Sequence, residues 1–171
     1  MSSTSSASGQ GVGRWAATGA AAGAIAGIVF IVFEMIMAGL SGPSPFGPLR
    51  LISAIVLGQG ALPPAPTIGL PAAIIVGLIV HFVLATVFGV IFGTILGGLS
   101  SRVGALAGNR GALVGAATVG GLLLWIVNFF VIAPIAFPWF TMANQVVQFF
   151  AHTFFFGTAF GLLLAGRMNR Q

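Results

Sequence analysis

Residues 70–99 read LPAAIIVGLIVHFVLATVFGVIFGTILGGL, thirty positions with no charged side chain and one histidine, His81. The hydrocarbon core of a bilayer takes about 20 apolar residues of helix, so this run predicts a transmembrane helix with length to spare. Three more stretches of the same character flank it, from about Trp15 to Leu40, from Gly111 to about Ala133, and from about Trp139 to Ala165. Charged residues make up only 4% of the chain and the mean hydropathy is +1.13. Soluble domains carry about 25% charge, which excludes that class. The expected fold class is all-α, a polytopic membrane four-helix bundle over residues 14–171. Residues 1–13, MSSTSSASGQGVG, have no basic residue and no apolar core of the signal-peptide kind, and read as a short disordered cytoplasmic tail.

Orientation follows from arginine. If the spans alternate, Arg14, Arg102, Arg110, Arg167 and Arg170 share one side and Arg50 stands alone on the other. The positive-inside bias then puts both termini in the cytoplasm and the protein in the cytoplasmic (inner) membrane. The net charge of +5 is accounted for by this pattern, so nucleic acid is not an expected partner; the lipid bilayer is. No Cys is present, which removes disulfides, thiolate metal sites and thiol nucleophiles. No Ser/His/Asp set and no phosphate-binding glycine loop occurs, which argues against nucleophilic catalysis and a nucleotide site and leaves enzymatic activity open, the balance leaning against it.

The outer loop, residues 41–69, has ends rich in Pro and Gly around an apolar middle, Pro48 to Leu57, with Gly58 just beyond. Pro at the start and Gly past the end predict a helix. About ten residues cannot span a bilayer, so an interfacial or re-entrant helix is expected, the alternative being a loop on the outer surface. Glycines recur at four-residue spacing: Gly19, Gly23 and Gly27; Gly89, Gly93 and Gly97; Gly111 and Gly115; Gly157 and Gly161. Such spacing lets helix backbones approach closely in lipid.

GIVFIVFE (Gly27–Glu34) aligns with GLLLWIVN (Gly121–Asn128), and ATVFGVIF (Ala85–Phe92) with GTAFGLLL (Gly157–Leu164). His81 and His152 then correspond to within one residue. Duplication of a helical hairpin explains this pattern; so does chance matching of apolar segments.

Each span carries one conspicuous polar residue at a similar depth: Glu34, the only acid, then His81, Asn128 and His152. In TMANQVVQFFAH (Thr141–His152), Thr141, Gln145, Gln148 and His152 fall within about 60° on a helix, a polar lane leading down from the outer surface. A carboxylate at this depth costs about 2.5–3.5 kcal/mol on insertion scales, so Glu34 must face the interior and be paired or protonated. Arg50 is the candidate counterion. Four uses of such a cluster stand open. His81 and His152 suit the two axial positions of a b-type haem. Glu34, His81 and His152 suit a transition metal ion, with Asn128, Gln145, Gln148 and Arg50 supporting. The same residues also suit helix–helix packing in a structural subunit of a larger membrane complex or homo-oligomer. The last use is proton-coupled transport.

Three stretches carry a resemblance: GLIVHFVLATVFGVIFG (Gly77–Gly93), LLLW to AP (Leu122–Pro134) and AHTFFFGTAFGLLLAG (Ala151–Gly166). With them the chain resembles uncharacterised bacterial four-span integral membrane proteins over about half its length. The resemblance implies an inner-membrane four-helix fold and no established activity; Glu34 and the Pro-rich loop lie outside it.

Overall fold

A computed structural model of the protein describes residues 4–168, which contain helices and no strand. Four helices are long and apolar enough to cross a membrane: within α1 (Thr4–Ser41) the portion Gly11–Ser41, then α3 (Leu70–Ser100), α4 (Arg110–Ala136) and α5 (Gln145–Arg167). Short α2 (Gly47–Leu57) lies between the first two spans. The chain is an all-α, multi-pass membrane protein. One end of the bundle carries the start of α1, the end of α5 and the short 101–109 link; the other carries the long 42–69 loop and the 137–144 connection.

The ends of the helices follow local chemistry. Asn109 accepts a hydrogen bond from the Ala112 amide at the start of α4, and Asn144 accepts from the Val146 and Val147 amides at the start of α5. Pro48 sits in the first turn of α2, and Gly58 past its end has φ 70°, a conformation that favours glycine. α1 extends back to Thr4, so the described part of the segment expected to be a disordered tail is helical. Adding residues to an existing helix costs far less than nucleating one.

Backbone contact between small residues holds the spans together. Gly19, Gly23 and Gly27 of α1 face Gly93, Gly89 and Ala85 of α3; a Cβ on Gly23 would lie 2.6 Å from the Gly89 Cα. On the other hairpin, Gly121 faces Gly157, and Gly161 faces Ala117. The expected pair Gly111 and Gly115 takes no part: nothing lies within 4 Å of a Cβ built on Gly115. Gly121 and Ala117, one helical face away, replace them.

These contacts repeat in register. Under the sequence alignment Gly27 corresponds to Gly121 and Ala85 to Gly157, and both pairs touch; Gly23 and Gly89 correspond to Ala117 and Gly161, and both pairs touch. One local difference separates the hairpins. His81 precedes Ala85 by four residues, whereas His152 precedes Gly157 by five. The extra residue is absorbed because α5 is π-helical from Ala151 to Thr158. A π-bulge is the helical form of a one-residue insertion, so the two histidines occupy equivalent levels. α4 also turns π-helical, from Val127 to Ile132, around Asn128.

The two hairpins join through α1 and α5, with Phe33 stacked on Phe155 at 3.8 Å between ring centroids. α3 and α4 touch each other far less. That unequal contact leaves a gap between α3 and α4.

α2 is not a surface loop. Its Leu49 packs against Gly77 of α3, where a side chain would collide with the Leu49 carbonyl. Leu49 and Ala54 are each 1% exposed. Gly77 lies seven residues into α3, so at 1.5 Å per residue α2 sits roughly 10 Å below the start of that helix.

Substitution at the crossing is therefore asymmetric. Gly23→Ala or Gly89→Ala is expected to destabilise the protein by about 1–3 kcal/mol through overpacking. Gly115→Ala is expected to stay within about 0.5 kcal/mol of the parent. Unfolding midpoints of the three purified variants check this, and equal effects at Gly89 and Gly115 would contradict the packing described.

A polar-floored cavity in the loop-side half

Glu34 lies seven residues from the end of α1, Asn128 eight from the end of α4, His152 seven from the start of α5 and His81 eleven from the start of α3. At 1.5 Å per residue, all four lie roughly 10–16 Å below the loop-side ends. There they line one cavity of about 340 Å³ together with Gln148. Glu34, His81, Gln148 and His152 are all buried.

Each polar group has a defined partner. The Gln148 side-chain amide donates to the Glu34 carboxylate. The His81 Nε2–H donates to the Gly27 carbonyl, 2.8 Å away, because a carbonyl can only accept. The His152 Nδ1–H donates to the Gln148 carbonyl one turn back at 2.9 Å. This leaves His152 Nε2 as an acceptor in the neutral ring, facing the Asn128 amide at 3.5 Å. Gly27 has no side chain at the point where His81 reaches its carbonyl, so the glycine stripe also makes room for that bond.

The repeat explains the polar array and its asymmetry. Glu34 and Asn128 are equivalent positions, as are His81 and His152. Four residues before the histidines stand Gly77 in one hairpin and Gln148 in the other. Gly77 admits α2; Gln148 instead reaches across the bundle to Glu34.

The walls are apolar. Leu84 and Phe88 of α3 face the cavity from one side, Leu124, Phe129 and Ile132 of α4 from the other. Leu51, Ile52 and Ile55 of α2, with Phe137 and Phe140 of the 137–144 connection, roof it. Trp139 Nε1 donates to the Leu51 carbonyl at 3.0 Å, tying the two parts of the roof together. Phe30 and Phe156 lie at its base, with Phe92 and Phe160 packed beneath Phe156. An aromatic layer thus closes the cavity at the level where the glycine crossings begin. Leu84 and Ile132 are 38% and 40% exposed on the outer surface of the bundle, so the α3–α4 gap is the side on which the cavity meets the surroundings.

Several expected roles change. Arg50 does not pair with Glu34: its guanidinium donates to the Ala61 and Ile68 carbonyls, both at 3.2 Å, and holds the long loop closed. Gln145 does not line the cavity; its amide donates to the Ala143 carbonyl at 3.3 Å. Thr141 lies in a 3-10 turn before α5 and bonds Pro138, so the polar lane begins at Gln148, under the roof. Among the described residues, no three His or Glu side chains converge tightly enough to hold a metal ion. Glu34 is bonded to Gln148 while each imidazole is held by a backbone carbonyl of its own. Phe30 packs against both imidazoles, with ring centroids 5.4 Å from His81 and 4.8 Å from His152. A haem between the two histidines would have to displace it.

The roof contact between Trp139 and Leu51 and the π-helical turns around Asn128 and His152 were not anticipated from sequence. The one-residue offset between the histidines was the available sign of the second. Comparison with family models, with curated proteins and with solved structures gives no match.

The Glu34–Gln148 bond joins the two hairpins at the level of the cavity. A double-mutant cycle with Glu34→Ala and Gln148→Ala is expected to give a coupling of about 1–2 kcal/mol in unfolding free energy. Additive effects would show that the pair contributes nothing to stability.

Proposed function

We propose that this protein binds a small, largely apolar molecule with a hydrogen-bonding head group inside the membrane. The observation that carries this reading is the cavity of about 340 Å³, walled by Leu, Ile and Phe, into which Glu34, His81, Asn128, Gln148 and His152 converge. Small-molecule sites have this make-up: a mostly apolar concavity of about 300–1,000 Å³ with a few placed polar groups. A purely structural role needs polar pairs but no space beside them. The arginine pattern supports an inner-membrane placement with both termini cytoplasmic, which puts the cavity in the outer half of the bilayer.

A metal ion or b-type haem at Glu34, His81 and His152 has weaker support, since the three side chains do not converge and Phe30 packs on both rings. Metal content and the absorption spectrum of protein purified from its host separate the readings. Stoichiometric metal lost in Glu34→Ala, or a Soret band lost in His81→Ala and His152→Ala, would favour the cofactor.

The pocket reading predicts saturable binding of a neutral aromatic alcohol, 2-phenylethanol, to the purified full-length protein. It also predicts loss of that binding in Leu124→Trp, which fills the cavity from α4. Folding of the variant is checked by its unfolding midpoint. Binding that does not saturate, or that is unchanged in Leu124→Trp, overturns the reading.

A further inference from the structure

The head group can be specified further from the inventory of donors and acceptors, on the reading of the cavity as a small-molecule site. Each imidazole has given its N–H to a backbone carbonyl. In the neutral rings the remaining nitrogens are acceptors; His152 Nε2 faces the Asn128 amide, which leaves His81 Nδ1 open. Gln148 has turned an N–H onto Glu34, leaving the second carboxylate oxygen of Glu34 as a further acceptor. The buried side-chain polar atoms without any partner among the described residues are Ser100 Oγ, Trp125 Nε1, Gln145 Oε1 and Thr153 Oγ1. None belongs to these cavity residues, so the unused acceptor atoms, the second Glu34 oxygen, His81 Nδ1 and Asn128 Oδ1, face open space rather than packed side chains. The cavity therefore offers three open acceptors.

Charge points the same way. Glu34 is the only acid in the chain, and no arginine among the described residues lines the cavity. Arg50 is engaged with Ala61 and Ile68, so it is not the cation for the carboxylate. Three phenylalanines, Phe30, Phe88 and Phe129, present rings to the same space. A carboxylate beside aromatic rings is the chemistry that recognises an alkylammonium ion, through charge-assisted hydrogen bonds and cation–π attraction. A metal ion would need acceptors converging on one point, which these do not do.

The exit from the cavity fixes the rest of the ligand. α2 and the 137–144 connection cover the loop side and the Phe156 layer covers the terminal side, whereas the α3–α4 gap is lined by Leu84, Phe88, Leu124 and Ile132. A ligand reaching out through that gap passes between apolar side chains into lipid.

We propose that the occupant is a cationic amphiphile: a protonated amine seated on Glu34 beside the His81 and Asn128 acceptors, with an apolar body directed through the α3–α4 gap into the membrane. The amine donates up to three N–H bonds, which is what an acceptor-lined site requires.

Three ligands of one shape test this: 2-phenylethylamine, 2-phenylethanol and 3-phenylpropanoate, each titrated against purified full-length protein at neutral pH. The amine is expected to bind at least about tenfold more tightly than the alcohol, the advantage of a charged over a neutral hydrogen bond. The carboxylate is expected not to bind. In Glu34→Gln the preference for the amine should fall to near parity while the alcohol still binds. Equal binding of amine and alcohol by the unsubstituted protein, or tighter binding of the carboxylate, overturns the cationic head group and leaves the pocket standing. Failure of all three ligands overturns the pocket reading itself. The unsubstituted protein alone decides between these outcomes, so the proposal stays testable if Glu34→Gln fails to fold.

Discussion

In a bilayer, apolar side chains gain little by leaving lipid for one another, and helices associate through close packing and polar contacts instead. The contact on which this bundle depends is the approach of two backbones at Gly23 and Gly89, repeated at Ala117 and Gly161. Any side chain at the first pair would strike the opposing backbone. Both hairpins are pinned by small residues at equivalent positions, and toward the loop side larger residues take over. Phe30, three residues past Gly27, and Phe156, just before Gly157, stand where the glycines stop. The cavity lies just beyond this aromatic layer.

The internal repeat turns that packing into a site. Two copies of one hairpin would put identical side chains at equivalent levels, and the array is close to that: Glu34 with Asn128, His81 with His152. Two local changes break the equivalence. Gly77 opens α3 to α2, while Gln148 at the matching place in α5 spans the bundle to Glu34. The π-helical turn from Ala151 to Thr158 takes up one extra residue between His152 and the glycine crossing. Without it His152 would be rotated by about 100° about the helix axis, off the face it shares with the cavity. A helix interior pays such an irregularity only where something holds it, and here the bonds of His152 to Gln148 and Asn128 do so.

The spans were legible in the sequence because their signal, about 20 apolar residues between loops rich in Gly, Pro and Arg, is additive along the chain. The helix at Gly47–Leu57 was legible for a different reason, its terminal Pro48 and Gly58. The depth of Glu34, His81, Asn128 and His152 followed from counting residues at a fixed rise. What counting could not supply was rotation. Gly111 and Gly115 have the right spacing but the wrong face, and Gly121 with Ala117 make the contact. A regular helix through Thr141 would put that residue on the polar lane, but α5 begins at Gln145. Opposite charge makes Arg50 a candidate partner for Glu34; two loop carbonyls hold it instead. Partner choice at that scale is set by tertiary geometry.

The same geometry constrains how any molecule reaches the polar groups. An aqueous path down the loop side would have to pass α2 and the Phe137–Phe140 turn, which the Trp139–Leu51 bond fastens together. The α3–α4 side has no such fastening; its contacts are among leucine, isoleucine and phenylalanine side chains, which rearrange without losing a hydrogen bond. Opening there costs packing only, and lipid can replace part of that packing. A membrane site that is roofed against water and loosely closed toward lipid therefore selects first for solutes that already partition into the bilayer. Recognition at Glu34 and the two imidazoles acts second, on the head group alone. That division places the apolar selection in the gap and the polar selection at the level where the four spans contribute one residue each.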